Sequence, residues 1–201
     1  NDGYPEIFTT DMLPGDNYRL KTTMDFDPYH LEDLKYRANY HYQITQNCLH
    51  LNDGNANFQE IANLSGVAAT DWSWGALIFD FENDGNKDIF VSNGIQKDIM
   101  SMDFHEFIAN QVNTHDINGR PDYRKFISNI KSTPLQNYAF SNEGNLKFTN
   151  RAATLGLSQL SYSNGAAYAD LDNDGDLDLV VNNINSKSFV YRNNSNKTSG
   201  N

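Results

Sequence analysis

Short apolar runs bracket two acidic stretches. Ala76-Leu77-Ile78-Phe79 leads into Asp80–Asp88 and Ile89-Phe90-Val91 leads out; Ala166-Ala167-Tyr168-Ala169 leads into Asp170–Asp178 and Leu179-Val180-Val181 leads out. Runs this short, with many β-branched and aromatic residues and with Asn and Gly at their edges, predict buried strands. Asn52-Asp53-Gly54-Asn55 and Asn142-Glu143-Gly144-Asn145 predict hairpin turns. Helical spacing occurs only between such runs. Leu31, Leu34 and Ala38 predict a helix near 27–38, with Asp27 as N-cap and Pro28 at the first helical position. Phe104, Phe107, Ile108 and Val112 predict one over 102–112; Phe126, Ile127 and Ile130 predict one over 122–131.

The pattern repeats. Asn47 to Gly94 lies without a gap on Asn137 to Ile184, at a constant offset of 90. Matched pairs include Asn47/Asn137, Asn52/Asn142, Gly54/Gly144, Phe58/Phe148, Ser73/Ser163 and Gly75/Gly165. Each unit supplies a strand into the acidic stretch, a strand out, and a hairpin. Four-stranded antiparallel units repeated along a chain are the blades of a propeller. The predicted class is therefore mainly β, a partial β-propeller of four-stranded blades with short helical insertions. Residues 1–66 form most of a blade with an insertion at 13–45. Residues 67–156 form a complete blade with a helical insertion at 95–135, and 157–194 start a third. Residues 195–201, rich in Asn, Ser, Lys and Gly, predict a disordered tail.

Both acidic stretches read D-x-[DE]-x-D-G-x-x-D. Oxygens at positions 1, 3, 5 and 9 converge when a loop wraps a hard cation, Gly at position 6 permits the sharp turn, and position 7 offers a backbone carbonyl. An EF-hand is excluded because position 12 is Val91 or Val181 where a bidentate Glu is needed, and because strands flank the loops. The expected ligands in the first loop are Asp80, Glu82, Asp84 and Asp88, with the carbonyl of Asn86. In the second they are Asp170, Asp172, Asp174 and Asp178, with the carbonyl of Asp176. An all-oxygen, flexible set suits Ca2+ at about 2.3–2.6 Å better than magnesium or zinc, giving two calcium sites. Asn1-Asp2-Gly3-Tyr4-Pro5-Glu6 fits positions 4 to 9 of the same loop. Without positions 1 and 3 it is expected to bind weakly or not at all, and the opening reads as an excised piece of a longer protein.

A net charge of −11 argues against nucleic acid, which needs a basic face. The single cysteine, Cys48, allows no intrachain disulfide and reads as a packing residue. No run is long enough for a membrane span. The five histidines form no H-E-x-x-H pattern, and neither a G-x-S-x-G elbow nor a phosphate-binding Gly-rich loop is present. No catalytic residue is assigned, and the chain is read as a non-enzyme. Trp72 and Trp74 are expected to pack between blades; an aromatic sugar-binding platform is the alternative.

The strand–loop–strand repeat resembles the FG-GAP/VCBS family, best known from the propeller blades of integrin α-subunits. The carrying residues are Asp71-Trp72-Ser73-Trp74-Gly75-Ala76, Asp80 to Asp88, Ser92-Asn93-Gly94, Asn164 to Asp170, and the second loop. The match is closer to bacterial proteins that combine such repeats with an ASPIC/UnbV domain, related to cartilage acidic protein. That domain lies outside this chain. Glu82, at position 3 of the first loop, departs from the family's usual Asp or Asn. The resemblance implies calcium in the blade loops and residence outside the cytoplasm, whether secreted, periplasmic or at the cell surface. The expected function is that of a calcium-binding propeller segment of a binding or adhesion-type protein. Its partners would be a protein or glycan ligand and the remaining blades. The alternative is a non-catalytic portion of a secreted carbohydrate-active enzyme.

Overall fold

The structure, a computed structural model, describes residues 3–25, 27–55, 57–110 and 123–195. Asn1, Asp2, Val112, Asp122, the side chain of Phe126 and the tail after Ser195 lie outside the described residues, and so do the expectations attached to them.

The fold is mainly β, with three antiparallel sheets. The first joins β1 (Ile7–Thr9), β2 (Cys48–Asn52) and β3 (Phe58–Glu60) in that order. The second is four-stranded, β4 (Ser73–Phe79), β5 (Asp88–Asn93), β6 (Tyr138–Asn142) and β7 (Phe148–Asn150). The third joins β8 (Ser163–Ala169), β9 (Asp178–Asn183) and β10 (Phe189–Tyr191). No closed ring of sheets forms among the described residues.

Alternation along β5 explains why one strand serves two cores. All six of its residues are buried. Ile89 and Val91 pack with Leu49, Ile61, Val67 and Phe140, on the side of the first sheet. Phe90 points the other way, into Phe79, Ala139, Leu179 and Val181, on the side of the third. Successive side chains of a strand face opposite ways, so a sheet covered on both faces needs an unbroken apolar run. Burying each of these side chains contributes roughly 1.5–3 kcal/mol relative to exposure. Several of the repeated polar residues are buried too, and are paired. Asn137 Oδ1 accepts from the Asn93 backbone N–H (2.9 Å), and Asn137 Nδ2 donates to Ser163 Oγ (3.0 Å). Ser73 and Ser163 each donate to the asparagine at the end of the neighbouring strand, Asn93 and Asn183, at 2.8 Å.

Two compact units divide the chain. The three sheets lie in Asn1–Leu13, Gln46–Gln96 and Thr133–Asn201; the second unit is Pro14–Thr45 with Lys97–Ser132. The second unit thus gathers both segments that interrupt the strand repeat, each entering between a strand that follows an acidic loop and the next strand.

Within that second unit the helices are α1 (Asn17–Thr23), α2 (Tyr29–Arg37), α4 (Met102–Asn110) and α5 (Tyr123–Asn129). α1 was not expected from the sequence. Asp16 caps it, accepting the Arg19 N–H at 2.9 Å, and the Arg19 guanidinium meets Asp98 at 2.7 Å with both side chains largely buried. In α2 the expected capping is corrected. Pro28 is the N-cap and has no side-chain bond to give, while Asp27 pairs with Lys35. The expected apolar face is not packed into a core, since Leu31 is only partly covered, no residue of α2 is buried and Leu34 is 62% exposed. The helix's side-chain support includes the ion pairs Lys35–Glu32 (3.3 Å) and Arg37–Asp33 (2.8 Å) and the stacking of Tyr36 on Tyr42 (centroids 5.8 Å apart). α3 (Ala62–Ser65) corrects the expectation that helices are confined to the insertions. It is a single turn in the sheet unit, closed by Gly66 in the left-handed conformation (φ 79°).

Candidate metal centre

Both acidic stretches close the hairpin between paired strands: Phe79 faces Asp88 across β4 and β5, and Ala169 faces Asp178 across β8 and β9. The turns need left-handed backbone at positions 4 and 6. Asn83 (φ 55°) and Asn173 (φ 59°) supply it at position 4, Gly85 (φ 88°) and Gly175 (φ 92°) at position 6. Asn tolerates this region better than other side chains, and Gly adopts it freely.

The hydrogen bonds of the two loops copy each other. At position 1, Asp80 accepts the backbone N–H groups of Asp84 (3.2 Å) and Gly85 (2.8 Å), and Asp170 accepts those of Asp174 (3.2 Å) and Gly175 (3.0 Å). At position 5, Asp84 accepts from Asn86 N–H (2.7 Å) and Asp174 from Asp176 N–H (3.1 Å). At position 9, Asp88 accepts from Phe81 N–H and Asp178 from Leu171 N–H, both at 3.0 Å. The N–H bonds fix each carboxylate's orientation and leave it further lone pairs.

Convergence is unequal. Oxygens of Asp170, Asp172 and Asp174 all lie within 4.8 Å of one another, and this is the one such acidic group among the described residues. Asp178 is outside that group, held at the base of the loop. In the first loop Asp80, Glu82 and Asp84 do not gather in the same way. Glu82 reaches instead toward Arg151 (3.4 Å), which also meets Glu143 at 2.8 Å. In the second loop Arg192 pairs with Asp172 and with Asp174 (3.1 Å).

The donor set fits a hard cation: every candidate atom is oxygen, three carboxylates converge, and a guanidinium already lies against two of them. Asp170, Asp172 and Asp174 would hold it, with Asp178 and the Asp176 carbonyl beneath. The Asp176 side chain is fully buried and accepts from Asn83 Nδ2 at 2.5 Å. At position 9 of the first loop, burial pushes the Asp88 carboxyl up to about 6, against the pull of the N–H bonds from Asn142 and Phe81 and with the Glu82 and Asp84 charges adding to the rise. A cation in the loop would oppose that shift.

Residues outside the acidic pattern complete the loops. Asn142 donates its backbone N–H to Asp88 (2.9 Å) and its side-chain amide to the Lys87 carbonyl (3.0 Å). Asn193 does the same for Asp178 (2.8 Å) and the Leu177 carbonyl (3.2 Å). Asn52 donates to the Pro5 carbonyl at 3.2 Å, the same bond at the amino-terminal stretch, where Glu6 stands at position 9. An asparagine at the end of β6 (Asn142) and one just past β10 (Asn193) thus latch the two acidic loops from outside. The Asn52/Asn142 match at offset 90 was the visible trace of this role; Asn193 left none.

Residues 126–181 match an FG-GAP-like repeat. FG-GAP repeats are β-propeller repeats, and the matched stretch runs through β6, β7 and β8, the second acidic loop, and into β9. No curated protein matches the chain. Beside the repeat's strands, Trp74 is 48% exposed, so it is not packed away as expected. Its indole N–H donates to the Gly94 carbonyl (2.7 Å), and its ring centroid is 6.3 Å from that of Trp72. Cys48 and His50 are half-buried in β2. No described helix is long and apolar enough to cross a membrane.

Proposed function

We propose that this chain is a calcium-binding segment of a β-propeller, with no catalytic role, in a binding or adhesion-type protein outside the cytoplasm. The observation that carries the reading is the second loop. There, three carboxylates gather within 4.8 Å on a backbone whose hydrogen bonds recur, one for one, in the first loop. Evolution of one acidic turn by chance is unremarkable; the same turn twice, at the same hairpin and under the same asparagine latch, speaks for a shared ligand. Calcium fits because the donors are all oxygen and the loop is open to solvent. Like charges crowded in each loop repel, so a bound divalent cation stabilises the fold both by binding and by relieving that repulsion. The FG-GAP-like repeat supports the propeller part of the reading, the three sheets being blades of an incomplete ring. Kinship with ASPIC/UnbV-containing proteins, and a protein or glycan as partner, belong to the same proposal.

Thermal melting with calcium and with chelator is the direct test, paired with calorimetric titration. A raised midpoint and measurable uptake are expected. An unchanged midpoint together with no uptake sinks the calcium reading.

The half-exposed Trp74 beside Trp72 favours a second reading, a non-catalytic portion of a secreted carbohydrate-active enzyme, in which these rings stack on a sugar. Glycan binding lost in Trp74→Ala would support it.

A further inference from the structure

The two acidic loops touch. Asn83, at position 4 of the first, donates its side-chain amide to the carboxylate of Asp176, at position 7 of the second (2.5 Å). Neither side chain is an expected ligand. Asn83 nonetheless sits between Glu82 and Asp84, two expected ligands of the first loop, and Asp176 offers its own carbonyl to the second. A second bridge runs alongside. The Phe81 carbonyl, at position 2 of the first loop, accepts from Asn193 Nδ2 (3.0 Å), the same asparagine whose backbone N–H donates to Asp178 (2.8 Å). The Phe81 N–H in turn donates to Asp88 (3.0 Å), so a continuous chain of bonds joins position 9 of one loop to position 9 of the other.

We propose that the two calcium sites are coupled through the Asn83–Asp176 and Phe81–Asn193 bridges, so that filling one loop raises the affinity of the other. The inference rests on the calcium reading above. Its physical basis is ordering. A cation that draws in the Asp176 carbonyl fixes the Asp176 side chain, and with it Asn83. Part of the entropy cost of arranging Glu82 and Asp84 is then met before the first loop takes its own ion. By linkage the effect is reciprocal. Asn173, at position 4 of the second loop, makes no such bond to the first, which makes it the natural control.

The test is a calcium titration of the 201-residue chain by calorimetry. Single-loop affinities come from Asp80→Asn/Asp84→Asn and from Asp172→Asn/Asp174→Asn. The coupling factor is the product of the parent's two association constants divided by the product of the two single-loop constants. About fivefold or more is expected in the parent, the lower end of measured coupling between sites. Asn83→Gly keeps the left-handed backbone and removes the amide; it should bring the factor down to about twofold or less. Asn173→Gly makes the same change where no bridge exists and should leave the factor at the parent's value. A parent factor of one, uptake of a single ion, or an undiminished factor in Asn83→Gly would overturn the coupling while leaving calcium binding intact. No uptake at all would instead overturn the calcium reading, and the coupling with it.

Discussion

The two acidic loops share a backbone, a latch and a hydrogen-bond pattern, yet only the second gathers its carboxylates. The loops also differ by one methylene and in the placement of two arginines. At position 3 the second loop has Asp172, short enough to remain beside Asp170 and Asp174. The first has Glu82, long enough to reach Arg151, where Glu143 already holds the guanidinium. Arg192 acts differently: it pairs with Asp172 and Asp174 at once, so it neutralises the cluster without dispersing it. A guanidinium thus lies against one acid of the first loop and against two of the second.

The comparison can be broken most severely at position 6. Gly175→Val places a β-branched residue at φ 92°, a strain on the order of 1–3 kcal/mol. Calcium affinity of the second loop should fall by about tenfold or more, as read by calorimetry. Asn173→Ala, at φ 59° and with no ligand lost, should cost clearly less. Equal losses in the two variants would contradict the register of positions assigned here.

A smaller effect is expected from Glu82→Asp, which removes the reach to Arg151. The first loop should then resemble the second, and its calcium affinity should rise by roughly threefold to tenfold, the equivalent of about 1 kcal/mol. No gain, measured with the second loop disabled, would mean that Glu82 is not what holds the first loop's acids apart.

The smallest change is expected at Arg192. Its side chain is 55% exposed, and exposed ion pairs contribute about 0–1 kcal/mol. Arg192→Gln should tighten calcium at the second loop by about threefold in low salt, and the gain should shrink as salt screens the pair. Tightening that is independent of ionic strength would argue against a competing charge.

Most of the sheet architecture, and the hairpins that the acidic loops close, were legible because period-two burial and turn chemistry are local. β5 shows why: Ile89, Phe90 and Val91 announce a strand covered on both faces without any knowledge of what covers it. The helices were less so. α1 has no apolar stripe, with Leu20 alone among polar neighbours, and its support comes from Asp16 at its start and from Asp98, far along the chain. The exposed face of α2 misled for the opposite reason, since helical spacing of Leu31 and Leu34 was present without a core to meet it. In the candidate site, the acidic residues could be read but not their convergence, since the positions of Arg151 and Arg192, just past β7 and β10, cannot be read from the loops themselves. Asn193 was hidden because the link from β9 to β10 is short, so the spacing to its loop differs from that of Asn142. The Asn83–Asp176 contact joins residues far apart in sequence, and no periodic pattern can report it.

That short link has a further meaning. Between Asn93 and Tyr138 the chain leaves the sheet and builds two helices before returning; between Asn183 and Phe189 it merely turns. Both routes bring an asparagine to the same two bonds beneath an acidic loop. Because closure entropy grows only with the logarithm of loop length, a long excursion costs little more than a brief one. The sheet is therefore a modular socket, able to accept or discard cargo at that junction while its acidic-loop end stays unchanged. New surface chemistry can be grafted there without renegotiating the scaffold.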